Sequence, residues 1–283
     1  MGTFGWLKGH GTQNDFVLLP DPDGALHGAL DSDLVVALCH RRRGIGADGV
    51  LRVIRTEAMR AIDPRIPATD AEWFMDYRNS DGSLSQMCGN GVRVFALHLL
   101  QEGLVGPGEP VLVGSRGGTK VVTRDGADGS LSVDMGAAEL LGRVEVSVGD
   151  RRWQAHKVSM GNPHAVVFVE DLAEAGALLE APRVDPADFP EGVNVEFVHE
   201  LRPGHIEMRV HERGSGETRS CGTGACAAAV ATAHDAGVPL PVHHRVDVPG
   251  GQLQVRWHED GRVDLAGPAR IVARGETSAA LLR

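Results

Sequence analysis

The sequence predicts an α+β fold of two pseudo-symmetric domains, each a strand-rich sheet wrapped around one central helix. Three observations predict it. The motif Cys-Gly-x-Gly occurs twice, as Cys88-Gly89-Asn90-Gly91 and Cys221-Gly222-Thr223-Gly224. Each copy opens a helix-like apolar run. The two cysteines lie 133 residues apart in a chain of 283, and other segments repeat around them in the same order.

Along the chain, Gly11-Thr12-Gln13-Asn14-Asp15-Phe16-Val17 is similar to Gly161-Asn162-Pro163-His164-Ala165-Val166-Val167. Gly44-Ile45-Gly46-Ala47-Asp48-Gly49-Val50 has a looser counterpart in Gly192-Val193-Asn194-Val195-Glu196-Phe197. Residues 73–82 and 206–216 both read as a strand entering a polar, glycine-containing turn. Asn79 and Glu212 each stand nine residues ahead of their cysteine. After the first motif, Val92, Phe95, Ala96, Leu99 and Leu100 follow the i, i+3, i+4, i+7, i+8 spacing of a helix face, with Gly103 as its C-terminal stop. After the second, Ala225 to Ala236 is small and apolar all round up to Gly237, the pattern of a buried helix. Leu131 to Met135 alternates as a strand. Residues 253–257 and 262–265 flank Glu259-Asp260-Gly261 as a hairpin. Arg60 to Thr69, with Pro64 and Pro67, reads as an exposed loop, and Arg124 to Gly129 as a turn near the domain junction. The expected division is 1–132 and 133–266, with the tail 267–283 returning to the first domain.

Composition narrows the function. Apolar residues make up 42% and charged ones 23%, which is globular, and the net charge of −10 argues against nucleic acid or an anionic membrane as partner. No apolar run reaches the ~18 residues that span a bilayer. No basic segment followed by an apolar stretch opens the chain, so the expected compartment is the cytoplasm. Only Lys8, Lys120 and Lys157 are lysines, and none stands in a glycine-rich phosphate-binding context, so pyridoxal phosphate is not expected. No Cys-x-x-Cys pair occurs and His243-His244 lacks ligand spacing, so no metal is expected. Arg41-Arg42-Arg43 reads as a solvated basic face. Cys39 and Cys226 sit in apolar runs and read as small buried hydrophobes.

Cys88 and Cys221 differ because each falls at a predicted helix N-terminus. The unpaired N–H groups and partial positive charge there lower a thiol's pKa, and the glycines let the same N–H groups approach a carboxylate. Two such thiols facing each other across a cleft suit one reaction. One removes a proton from a carbon and the other returns a proton on the opposite face, inverting the configuration. The N–H groups stabilise the charge that develops. A thiol redox protein, a racemase of proline or hydroxyproline, and a non-catalytic binding protein for a dicarboxylic amino acid are the competing readings.

The sequence resembles the diaminopimelate epimerase family, within the fold shared with proline racemase-like and phenazine-biosynthesis-like proteins. The resemblance covers nearly the whole chain. It is carried by His10-Gly11-Thr12-Gln13-Asn14-Asp15-Phe16, Gly44 to Gly49, Asn79-Ser80-Asp81-Gly82, Met87 to Arg93, Gly161-Asn162-Pro163-His164, Gly192-Val193-Asn194, Glu212-Arg213-Gly214 and Cys221 to Ala225. It implies conversion of LL-2,6-diaminoheptanedioate to the meso form without cofactor, in a homodimer. It further implies that Cys221 takes the proton and Cys88 gives one in that direction. Gly89, Asn90, Gly222 and Thr223 would supply N–H groups to the carboxylate at the reacting carbon, and Glu212 would pair with its ammonium. Asn14, Asn79, Asn162, Asn194 and Arg213 would hold the distal head, and His164 with Glu212 would tune the thiols. Two departures stand out: Gly49 where some members carry glutamine, and Gln13 in place of a common glycine beside Asn14.

Overall fold

Strands dominate because β-branched and aromatic residues recur between glycine-rich turns, and two apolar helices give those strands something to close on. The computed structural model describes residues 2–108, 110–125 and 129–281. The chain separates into two units, Met1–Val133 with Pro268–Arg283, and Asp134–Gly267.

The first unit contains β1 (Thr3–Gly11), β2 (Asn14–Pro20), α1 (Ser32–Cys39), β3 (Gly49–Arg55), α2 (Thr56–Ile62), β4 (Trp73–Asn79), α3 (Gly89–Gln101), β5 (Val111–Gly114), β6 (Lys120–Asp125) and the start of β7 (Ser130–Ala137). The second contains β8 (Glu139–Val148), β9 (Arg151–Ser159), β10 (Pro163–Phe168), β11 (Arg183–Val184), β12 (Asn194–Arg202), β13 (His205–Glu212), β14 (Gly216–Thr218), α4 (Gly222–Asp235), β15 (Val242–Val248), β16 (Gly251–Trp257) and β17 (Arg262–Gly267). The last strand, β18 (Arg270–Ser278), pairs with β1.

The pairing pattern is the same in both units. The first runs β18-β1-β2-β3-β4-β5-β6-β7 with antiparallel, antiparallel, parallel, antiparallel, parallel, antiparallel and antiparallel neighbours. The second runs β8-β9-β10-β12-β13-β15-β16-β17 with the same sequence of senses. Register places individual residues in correspondence. Val50 pairs with Val17 and Arg78; Val195 pairs with Ala165 and His211. Phe16 therefore corresponds to His164, Leu51 to Glu196, and Asn79 to Glu212.

Each sheet surrounds its helix. α3 packs against β1, β2, β3, β5, β6 and β18, and α4 against β9, β10, β12, β13, β15, β16 and β17. The one-sided apolar face read for α3 is corrected by this enclosure: Arg93 and His98, on its polar side in the sequence, are buried as well, while Leu100 is only partly buried. In α4 the alanines from Ala225 to Ala233 are buried, and their small side chains let the strands close on the helix. Gly103, with φ +66, follows the end of α3.

The outer face of the first sheet is covered by α1, whose Leu34, Val35 and Leu38 join Phe4, Val17 and Leu19 in one cluster with Cys39. Burial pushes the Cys39 thiol up to about 12, as expected of a packing residue. The exposed loop expected over 60–69 is corrected in two places. Residues 60–62 finish α2, and Ile66 is buried against Ile54, Met59 and Phe74, because α2 leaves an apolar gap that the loop fills. Of the turn expected over 124–129, Arg124 and Asp125 extend β6, and 126–128 lie outside the described residues.

Two features carry stability predictions. Arg52 is fully buried; its Nε and Nη2 donate to Asp21 Oδ2 at 3.0 and 2.6 Å, and its Nη1 donates to the Gly28 carbonyl. Asp76, also buried, lies farther off, with its Oδ2 3.9 Å from Arg52 Nη1. Asp21→Ala strands that guanidinium, and urea unfolding is expected to show a loss of about 3–5 kcal/mol; a loss below about 1 kcal/mol would mean that Asp76 alone holds the charge. The β1–β2 turn has two residues in the left-handed region, Thr12 at φ 47 and Gln13 at φ 64, where hairpins favour glycine or asparagine. The turn thus keeps its shape with glutamine at strained backbone. Gln13→Gly is expected to raise the urea midpoint, by about 0.5–1 kcal/mol in stability; a lowered midpoint would contradict strain at Gln13.

Candidate active site

In the first unit Cys88 caps α3. Its backbone is extended, at φ −144 and ψ 119, and its Sγ accepts the Gly91 N–H at 3.5 Å. The first-turn N–H groups that follow it, at Gly89 and Asn90, point along the helix axis past the sulfur. The Cys88 thiol donates to Asn14 Oδ1 at 3.4 Å, and Asn90 Nδ2 donates to the same oxygen at 3.3 Å. The orientation of that amide is set from both ends. Asn14 Nδ2 donates to Asp48 Oδ2 at 2.8 Å, and Asn90 Oδ1 accepts from buried Arg93 at 2.8 Å. Asp48 is held in turn by the Asp15 N–H and by Arg41.

Burial would raise the Asp15 carboxyl, yet hydrogen bonds from Arg41 and Lys8 hold it well below the usual carboxylate range. Burial, outweighing the hydrogen bond from Asn14, pushes the Asp48 carboxyl up. Arg41, Arg42 and Arg43 are all exposed, as the solvated reading expects, and Arg41 in addition makes a forked bond to Asp15 at 3.0 and 2.8 Å. Asn79, at the end of β4, donates to Ser83 Oγ at 3.0 Å and is not joined to the Asn14 amide chain by any hydrogen bond among the described residues. Its partner across the ladder is Gly49. A Cβ at Gly49 would lie 2.6 Å from the Arg78 carbonyl and 2.7 Å from the Tyr77 ring, so this chain has no room for a side chain there.

In the second unit Cys221 caps α4 with the same extended backbone, φ −117 and ψ 117, and its Sγ accepts the Gly224 N–H at 3.4 Å. Cys221 is buried, whereas Cys88 is partly exposed. Thr223 Oγ1 lies 3.6 Å from the Cys221 sulfur and accepts from Asn162 Nδ2 at 3.3 Å. Asn162 Oδ1 faces His164 Nε2 at 3.0 Å, and His164 Nδ1 faces Glu196 Oε1 at 2.7 Å. Asn194 Oδ1 accepts the Arg213 N–H at 3.0 Å, and its Nδ2 donates to the Pro163 carbonyl at 3.1 Å. Arg213 projects outward, with Nη1 donating to the Glu191 carbonyl at 3.0 Å. Glu212 accepts from the Thr218 hydroxyl, and its carboxyl group is enclosed beside Cys221. Each unit thus gathers most of its share of the expected residues, except that Asn79 is bonded apart from its neighbours and the Arg213 side chain points outward.

The lowered thiol pKa expected of a helix N-terminus is corrected for Cys221. Burial, followed by the negative charges of Glu212 and Glu196, raises it well above its ordinary value, and the helix N–H at Gly224 and the Thr223 hydroxyl only partly oppose this. Burial likewise raises the Glu212 carboxyl, against the lowering effect of hydrogen bonds from Thr218 and Cys221. Three residues of this chemistry escaped the sequence reading as site members: Glu196, Asp48 and Arg93. The signal for Glu196 is visible only in the strand register, which makes it the second unit's counterpart of Leu51. None of the four cysteines is in a disulfide, and no cluster of metal-ligating side chains occurs among the described residues.

Two α+β units of one topology form a fold that solved structures of other proteins share. One is a hydroxyproline epimerase from Agrobacterium vitis with bound trans-4-hydroxy-L-proline, with a TM-score of 0.67 and 15% identity over 98% of this chain and 93% of that one. A phenazine biosynthesis protein of the PhzF family from Bacillus anthracis matches with a TM-score of 0.74 and 14% identity over 98% of this chain and 100% of that one. The sequence pattern of diaminopimelate epimerase matches residues 6–141 and 156–272. A diaminopimelate epimerase from Streptomyces coelicolor is 54% identical over 98% of this chain and 96% of its own length. The chain belongs to the diaminopimelate epimerase family, isomerases of lysine biosynthesis. No helix among the described residues is long and apolar enough to cross a membrane.

Proposed function

We propose that the chain interconverts LL- and meso-2,6-diaminoheptanedioate with two thiols and no cofactor or metal. One observation carries the reading: both units cap their central helix with a cysteine whose sulfur accepts the N–H three residues on. That arrangement sets a thiol beside a row of N–H groups able to take a carboxylate, twice over. In the LL-to-meso direction Cys221, as thiolate, removes the α-proton, and the Cys88 thiol delivers one to the opposite face. Cys221 ends protonated and Cys88 as thiolate; exchange with solvent or reverse turnover restores the starting state.

The N–H groups of Gly89, Asn90, Gly222 and Thr223 hold the carboxylate at the reacting carbon and stabilise the carbanion. Glu212 pairs with the ammonium beside it. That ammonium brings positive charge to Cys221, offsetting the burial and carboxylate charges that hold its proton. Asn14, Asn79, Asn162, Asn194 and Arg213 hold the distal amino-acid head. Neutral amides suit a zwitterion because they offer donors and acceptors together, and Arg213 offers a forked grip on a carboxylate. His164 and Glu212 tune the thiols. The family resemblance extends the reading to a cytoplasmic homodimer.

Proton NMR of the LL substrate with reduced protein and no added cofactor tests this. The expected result is the appearance of the meso isomer. A spectrum unchanged after prolonged incubation would overturn the reading, and sedimentation at a single-copy mass would remove the homodimer from it.

A further inference from the structure

The duplicated fold contains its own control for the surroundings of each cysteine. Beneath the Cys88 turn, a Cβ on Gly91 would meet Leu51 Cδ2 at 3.3 Å and the Phe16 ring at 3.5 Å. Beneath the Cys221 turn, a Cβ on Gly224 would meet Glu196 Oε1 at 2.7 Å and the Cys221 sulfur at 3.3 Å. Strand register makes Leu51 the counterpart of Glu196 and Phe16 the counterpart of His164. The same seat is therefore filled by two hydrocarbon side chains in one unit and by a carboxylate and an imidazole in the other. The fold does not require the polar pair, since the first unit closes without it.

The polar pair is also expensive to bury. His164 and Glu196 are both fully buried, and Glu196 Oε2 has no hydrogen-bond partner among the described residues. Hydrocarbons in this place would cost less. Both ring nitrogens of His164 face oxygen, Asn162 Oδ1 at 3.0 Å and Glu196 Oε1 at 2.7 Å. Glu196 thereby fixes the imidazole, and the imidazole fixes the Asn162 amide with its Nδ2 towards Thr223. The carboxylate also sits close against the turn that carries the sulfur.

We propose that Glu196 is a positioning residue for the second unit's thiol: seated under the Cys221 turn and locked to His164, it governs how readily Cys221 gives up its proton, a control that Phe16 and Leu51 do not exert on Cys88. The role in turnover rests on the two-thiol reading, but the control of the sulfur can be measured apart from it. The ionisable groups that act on Cys221 are Glu212 on β13 and Glu196 on β12, with the Thr223 hydroxyl in its own turn, and His164 on β10 is bonded to Glu196. Across β9 the residue paired with His164 is Val158, which carries no charge. Among these groups Glu196 is the anion that Glu196→Gln removes while keeping shape and hydrogen-bonding capacity.

The test is alkylation of the full-length protein with iodoacetamide as a function of pH, with labelling of each cysteine followed by peptide mass spectrometry. In Glu196→Gln the Cys221 profile is expected to move to lower pH, with labelling at neutral pH faster by about tenfold, one pKa unit. Cys88 labelling stays as in the parent. The double variant His164→Phe with Glu196→Leu installs the pair that the first unit already accommodates, and it guards against misfolding of the single variant. It should shift the Cys221 profile the same way. A Cys221 profile unmoved in both variants, or a shift shared equally by Cys88, overturns the proposal. A shifted profile in a protein that never forms the meso isomer would leave the control standing and remove the two-thiol function instead.

Discussion

Cys88→Ala and Cys221→Ala each stop interconversion of the LL and meso isomers, lowering turnover by on the order of 10²–10⁴-fold or more. The effect is equal in kind for both because the proposed mechanism gives each sulfur one proton-transfer duty. At Cys88 the adjacent groups are the amides of Asn14 and Asn90, which do not exchange protons at neutral pH. At Cys221 a carboxyl, Glu212, lies close, but the proposed mechanism assigns it to the substrate ammonium. Both variants should fold, since an alanine leaves each turn's backbone intact, and circular dichroism checks this. Near-parental turnover in either variant would show that a single base suffices.

Glu212→Gln is expected to lower kcat/KM by on the order of 10²–10³-fold, the loss for a substrate ammonium left without its carboxylate in a desolvated site. Burial raises the Glu212 carboxyl above the ordinary range, and the role proposed for it requires the anion. The parent should therefore lose activity on the acid side at a higher pH than an ordinary glutamate would impose, and the glutamine variant should lack that limb. Stability follows with the opposite preference. A carboxyl whose folded pKa is raised favours the fold when protonated, and that contribution fades as pH rises through the folded value. The neutral glutamine should then make the protein more stable than the parent at neutral pH. A variant both inactive and less stable would point to a structural role for Glu212 instead.

Much of the fold could be read from the chain because its punctuation is local. Cys88-Gly89-Asn90-Gly91 and Cys221-Gly222-Thr223-Gly224 announce helix starts through residues whose preferences act within one turn, and both cysteines cap helices. Residues 73–79 and 205–212 are strands ending at Asn79 and Glu212, so the shared nine-residue offset reflects shared topology. The hairpin at Glu259-Asp260-Gly261 joins β16 and β17.

What could not be read depends on long-range enclosure. Asn194-Val195-Glu196-Phe197-Val198 alternates like a strand with one wet face, but β12 lies between β10 and β13 and is covered on both faces, so Glu196 is buried. Arg93 looks solvated on the polar side of its helix and is enclosed by the sheet. The Cys221 environment reverses the helix-terminus expectation for a related reason: the favourable N–H groups are local and legible, while the opposing burial and the approach of Glu212 and Glu196 depend on how the strands enclose the helix.

The most direct measurement of the two-thiol account is the position of deuterium at low conversion in deuterium oxide, starting from the LL isomer. A thiol carries a single proton, so the sulfur that removes the α-proton cannot return a solvent deuteron to the face it came from before the product leaves. The account predicts deuterium at the inverted carbon of the meso product and none in the recovered LL substrate. Deuterium entering the recovered LL substrate as fast as it enters product, or product formed with its original proton, would contradict it.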